Sequence, residues 1–179
     1  MWVYILAGVV LLLGIVFVWG LLHLRHSQKV AYQAIDKVTL GDIDRLREEC
    51  VRVFREKFSE SLDIEDLEGS ARLLSAHLDN HESLKKAFAR DDFYWYFVLP
   101  VGAYMGELLR VRAGAQWKPS AEGGLEMSIP VANDAATTHP FHKVMKQVTM
   151  GDKGDVYAYL KTSTQLGTLL AETSALPKT

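Results

Sequence analysis

The chain has 179 residues and a formal net charge of −2, and all 20 Lys and Arg and all 22 Asp and Glu lie beyond Leu22. Charges of both signs interleave over the rest of the chain, which argues against the one-sided basic footprint that nucleic acid requires. The lone Cys50, with no Cys-x-x-Cys pair, excludes an internal disulfide and a thiolate zinc site.

The uncharged run Trp2–Leu22 is rich in Leu, Val and Ile. As a helix rising ~1.5 Å per residue it would span about 31 Å, close to the hydrocarbon thickness of a bilayer. Residues 2–24 therefore read as a single transmembrane anchor with the lipid bilayer as its partner. Trp2, Tyr4 and Trp19 sit where interfacial aromatic belts are found. A cleaved secretory signal would have a basic start, a shorter apolar core and small residues at its exit, and these features are missing. Gly8, Gly14 and Gly20 lack the four-residue spacing of a close-packed membrane dimer. Arg25, Lys29 and Lys37 follow the run, so the positive-inside rule places the C-terminal domain in the cytoplasm of a bacterial cell, with the anchor in the inner membrane. A periplasmic domain is the alternative orientation.

Residues 25–38 are mixed in polarity and read as a juxtamembrane stalk or linker. An α+β, mainly helical domain with one β-hairpin is expected over residues 39–172, followed by a flexible tail at 173–179. Thr39 and Asp42 resemble a capping box, and Ile43, Leu46, Cys50, Val53, Phe54 and Phe58 recur at helical spacing. Cys50 falls on that apolar face and reads as a small buried hydrophobe. A second helix is predicted from Asp63, with Ile64, Leu67, Ala71, Leu74 and Leu78 on one face. Phe93–Leu109 is apolar nearly all round and reads as a buried central helix. As a second membrane span it is too short, because Asp91, Asp92 and Glu107 bound it. Pro100 should kink that helix or occupy the first turn of one beginning near Leu99. Gly102 and Gly106 would let a neighbour approach the backbone.

Beyond Gly114, alternation in Gln116–Lys118 and Leu125–Ile129 around Gly123-Gly124 predicts the hairpin, with Val131–His139 read as loop. A short helix over Phe141–Val148, a turn at Gly151–Asp155 and a last helix opened by Asp155 complete the chain. The Gly151–Asp155 turn lacks Walker spacing, so no nucleotide or other cofactor is expected.

His77 and His81 lie four apart, a spacing that puts two rings on one side of a helix and can begin a divalent metal site. No third ligand is specified, and the favoured reading is a metal-free, solvated helix terminus. The pair His139 and His142 is weaker still. Glu107 is the one catalytic candidate, because a carboxylate at the end of an apolar run can be buried and take up a proton. Arg110, three residues on, offers it a structural ion pair instead.

Gly102-Ala103-Tyr104-Met105-Gly106-Glu107-Leu108-Leu109, then Gly114-Ala115-Gln116-Trp117, then Pro140-Phe141-His142-Lys143-Val144 resemble small bacterial domains of unknown function. In these a Gly-Glu helix precedes a Gly-x-x-Trp strand and a Pro-Phe-led helix. The resemblance covers about residues 93–150 and implies a bacterial origin and the helix, hairpin, helix order; it brings no activity, cofactor or catalytic residue.

The sequence thus points to a membrane-anchored, non-catalytic adaptor or assembly module with a protein partner. An immunity or toxin-neutralising protein, and an enzyme using Glu107 or a His77/His81 metal site, are the alternatives. The orientation is testable with alkaline phosphatase and a fluorescent protein fused separately after Thr179. A fluorescent, phosphatase-negative outcome is expected, and the reverse pattern overturns the cytoplasmic assignment.

Overall fold

The computed structural model describes residues 14, 17, 29–30, 32–80, 84, 86–88, 92–131, 134–150 and 156–174. The chain falls into two units, Met1–Gln33 and Ala34–Thr179. Within the first unit Gly14 and Phe17 are helical, and the rest of the predicted anchor lies outside the described residues. Among the described residues no helix is long and apolar enough to cross a membrane. The described strands and the buried core lie in the second unit.

That unit is α+β and mainly helical. It begins before the expected domain start: residues 34–36 are helical, and Ala34, Ile35 and Val38 are buried. The end of the predicted stalk is therefore part of the core. Thr39 then closes a capping box with Asp42, donating its backbone N–H to Oδ2 over 3.0 Å and its hydroxyl over 2.7 Å. A 3-10 turn, Leu40–Asp42, leads into helix α1, Ile43–Val53, which buries Ile43, Leu46, Cys50 and Val53 as the periodicity predicts. A π turn, Phe54–Phe58, ends it, and Ser59 takes a left-handed conformation with φ 58°.

Helix α2, Leu67–Asp79, starts later than the pattern suggested. Asp66 caps it by accepting the Gly69 N–H over 2.9 Å. Asp63 instead makes a local turn with the Glu65 N–H, 2.9 Å, and is tied down by Ser70. Ile64 is consequently a loop residue and not part of the helix face.

Helix α3, Leu99–Ala113, buries every residue from Leu99 through Leu109 and is the axis of the domain. Upstream, Tyr94–Val98 forms a π turn in which the Leu99 N–H reaches the Tyr94 carbonyl. Pro100 has no N–H for the Tyr96 carbonyl and its ring would crowd it, so a widened turn here removes the conflict. Of the two expectations for Pro100, the first-turn position is the one adopted. Gly114, with φ 62°, ends the helix.

Strands β1, Gln116–Pro119, β2, Leu125–Val131, and β3, Asp134–Thr138, form an antiparallel sheet in that order. Trp117 faces Met127, Lys118 faces Glu126, and Ile129 faces Ala136. The single hairpin of the sequence reading is thus a three-stranded sheet. The third strand, Asp-Ala-Ala-Thr-Thr, has no apolar alternation because it is a mostly exposed edge; backbone pairing to β2 forms it. Leu125, Met127 and Ile129 give β2 its buried face. Between β1 and β2, Gly123 and Gly124 have φ of 105° and 68°, and a Cβ on Gly124 would lie 2.8 Å from the Ile35 carbonyl oxygen. The turn is doubly glycine because it presses on the backbone of the first helical residues of the unit.

Helix α4, Pro140–Met150, and helix α5, Val156–Ser174, finish the fold, both packing against α3. Helix α5 reaches Ser174, past the point at which the tail was expected to begin; Gly151–Asp155 and residues 175–179 lie outside the described residues. Since Leu108 is fully buried in the axial helix, Leu108→Ala should cost about 2–5 kcal/mol. Chemical denaturation of the full-length protein in detergent, followed by circular dichroism, measures that loss.

Candidate functional site

Glu107 is 3% exposed, on the last fully buried stretch of α3. Both of its oxygens are engaged. Oε2 accepts from Arg110 Nε over 2.8 Å, and Oε1 accepts from Trp117 Nε1 over 3.0 Å. Arg110 is half exposed, so the charge buried at Glu107 is compensated by a cation that keeps much of its hydration.

Trp117 reaches this carboxylate across Gly106. A Cβ on Gly106 would collide with Cζ2 and Cη2 of the Trp117 ring, and one on Gly102, a turn earlier, would lie 2.5 Å from Phe141 Cδ1. The Trp117 and Phe141 rings are 5.4 Å apart. The Gly102, Gly106, Glu107, Trp117 and Phe141 signature in the sequence is therefore a single contact: two aromatic rings laid on a bare strip of helix, with the indole N–H held by the neighbouring carboxylate.

His77 does not meet solvent as expected. Its Nε2 is 2.8 Å from Glu60 Oε2, and its ring lies 4.0 Å from Phe58 and edge-on to Phe54 at 5.2 Å. The left-handed Ser59 turns the chain after Phe58, so that Glu60 comes back to meet the imidazole. The solvated-terminus reading is thus corrected to a packed, carboxylate-paired histidine. Helical spacing shows which residues share a side but not what a following loop brings against them. His81 lies outside the described residues. Asp79, between the two histidines, accepts from Gln147 Nε2 over 2.7 Å. Among the described residues no three of His, Cys, Asp and Glu are grouped to hold a metal.

His139 and His142 stack edge to face at 5.6 Å. Burial first, then the neighbouring His139, holds the His142 proton affinity below that of an ordinary histidine, against the pull of Asp36 and Glu122. Glu126 pairs with Lys118 over 3.1 Å, and His139 lies 3.9 Å away on its other side. Cys50 is fully buried, which pushes its thiol well up and leaves it an apolar core group. Asp92 accepts the Tyr96 N–H through its backbone carbonyl, 2.9 Å, and Asp91 lies outside the described residues.

An open cleft of about 510 Å³ between α1 and the loop before α2 has no counterpart in the sequence pattern. Its apolar side is built from Val51, Leu62 and Ile64 over Tyr104, and Arg47 and Glu48 stand at the rim. The floor is fixed by one serine. Ser70 Oγ donates to the Asp63 carbonyl over 2.7 Å and accepts the Asp63 N–H over 3.0 Å. Its only proton is therefore committed, and at the 3.3 Å contact with Tyr104 Oη the phenol must be the donor. Burial pushes the Tyr104 phenol up to about 12, so it keeps that proton at any ordinary pH. Ile64 gave the one available signal, an apolar residue just ahead of the helix cap. The pattern assigned it to the helix.

Trp117→Phe should cost about 1–3 kcal/mol, because it strands a buried carboxylate oxygen without its donor. Gly106→Ala should cost more, since the indole must leave its seat. His77→Ala should also destabilise the protein measurably through lost ring contacts and an orphaned Glu60. Thermal melts of the three variants check these values, and wild-type stability in His77→Ala would restore the solvated reading. Compared with protein-family models, with curated proteins and with solved structures, the chain matches none.

Proposed function

We propose that this protein is a membrane-anchored, non-catalytic binding module of the bacterial inner membrane, whose cytoplasmic domain takes a segment of a partner protein into the cleft between α1 and the loop before α2. The cleft carries this reading. It has the build of a peptide-accepting groove, with an apolar floor, a charged rim of both signs and a rigid base on the axial helix. Val51 on α1 and Ile64 in the loop before α2 offer apolar contact, and among the described residues Arg47 pairs with the carboxylates of Asp44 and Glu48, each 3.6 Å away and largely exposed. Such loosely paired charges can be exchanged for a partner's at little cost.

The groups that would suggest an enzyme support the same reading. Glu107 has both oxygens occupied by Trp117 and Arg110, and His77 is committed to Glu60. The described residues that line the cleft include no histidine or cysteine.

The test places a photo-crosslinking residue at Val51 and, separately, at Ile64 in the full chain expressed in native membranes. A discrete light-dependent adduct is expected at both positions. None is expected from Arg45, which is 71% exposed on the same helix away from the cleft. Arg47→Glu should weaken the adduct without lowering the melting temperature. Equal labelling from all three positions, or labelling from none, overturns the proposal.

A further inference from the structure

Register decides which backbone groups each edge of the sheet turns outward. The Ser120 N–H bonds to the Gly124 carbonyl over 3.0 Å, continuing the register in which Lys118 faces Glu126 and Gln116 faces Ser128. Hydrogen-bonded and non-hydrogen-bonded pairs alternate along an antiparallel ladder, so the even-numbered residues of β2 bond to β1 and the odd-numbered ones to β3. Pro130 agrees, because it faces Ala135 and has no N–H to give it. On β3 the N–H and C=O of Ala135 and Thr137 therefore point away from β2, to the outer edge.

That edge is open and lightly guarded. β2 is the one described element that β3 packs against closely, and Asp134, Ala135 and Thr137 are exposed. Proline and lysine are common protections of a sheet edge. The opposite edge has both, Lys118 and, at an outward-facing position, Pro119. On β3 the guard among the described residues is Asp134, whose Oδ1 accepts the Ala135 N–H over 2.8 Å.

The strand is complementary to itself. Laid antiparallel about a two-fold axis at Ala136, two copies set Ala135 of each against Thr137 of the other, and each such pair exchanges both of its backbone hydrogen bonds. On the axis the two copies of Ala136 meet in the close, non-hydrogen-bonded position, which suits a small side chain. Charge fits the same arrangement. Asp134 marks one end of the strand. At the other end Thr138 bonds the Tyr159 hydroxyl, and the Lys143 ammonium lies over the Tyr159 ring, 5.9 Å from its centre. Antiparallel pairing brings each carboxylate to the lysine end of the other copy and keeps like charges apart. The Ala135 N–H then passes from Asp134 to the Thr137 carbonyl of the other copy, which frees the carboxylate for that lysine.

We propose that β3 is a self-association edge, on which a second copy of this chain pairs antiparallel and joins the two sheets into one. The full chain in native membranes tests this, because Cys50 is fully buried and leaves an introduced cysteine as the reporter. In Ala136→Cys, mild oxidation should give a disulfide-linked species of twice the chain mass, since the axis brings the two thiols together. Asp134→Cys, whose copies would lie about 14 Å apart along the strands, and Lys118→Cys on the opposite edge should give none. Thr137→Pro added to Ala136→Cys should abolish the linked species at an unchanged melting temperature, because it removes an outward N–H and spares the ladder to β2. Should the proline variant melt early, Lys143→Glu makes the same test without touching the backbone, and linkage should again fall. Equal linkage from all three cysteine positions, linkage that survives both second-site changes, or no linkage from Ala136→Cys overturns the pairing. A linked species whose mass includes a different protein overturns it in favour of another strand donor.

Discussion

Trp117 can reach the backbone of the central helix only because residue 106 has no side chain. The indole brings β1 onto α3, and Met127 on β2 stands opposite it in register. Phe141 repeats the device one helical turn away at Gly102 and brings in α4. Two glycines four residues apart thus set the distance of both a sheet and a helix from the axis. Close packing of this kind tolerates little change in volume, because each ring already occupies the place of a missing methyl group.

Glu107 belongs to the same contact. A buried carboxylate beside a bare helix strip invites a chemical reading, yet its geometry is that of a clamp. One oxygen orients the indole and the other holds Arg110 at the surface. The carboxylate also satisfies the indole N–H, which would otherwise be buried without a partner as the ring packs down. Charge and glycine are adjacent in sequence because the ring that needs the gap also needs the acceptor.

The histidines show a similar transfer from apparent chemistry to packing. His77 closes an aromatic group with Phe54 and Phe58, and Glu60 holds its polar edge. What the domain leaves open lies elsewhere. The cleft above Tyr104 is open, and Trp95 and Tyr96 are about half exposed. Both are mounted on the axial helix or on the turn leading into it, so each is presented by a rigid part of the fold.

Local regularities of the chain fixed a good deal. The apolar faces of α1 and of the all-round buried α3, the capping box at Thr39, the helical end at Gly114 and the β1–β2 turn at Gly123-Gly124 all follow from periodicity and from the conformational limits of single residues. These are properties of neighbours in sequence, and neighbours in sequence are what a pattern records. The third strand was not legible, because an exposed edge of Asp, Ala and Thr is ordered by backbone pairing to β2 and not by its own side chains. The helix start at Asp66 instead of Asp63 turned on Ser70, seven residues away from the loop it fastens. The roles of Glu107 and His77, and the existence of the cleft, depended on Trp117, Glu60 and Tyr104 arriving from other elements. Periodicity indicated the buried faces of the regular helices; only the tertiary structure decided what each residue would meet, because hydrogen-bond partners and open surfaces are set by packing between segments distant in sequence.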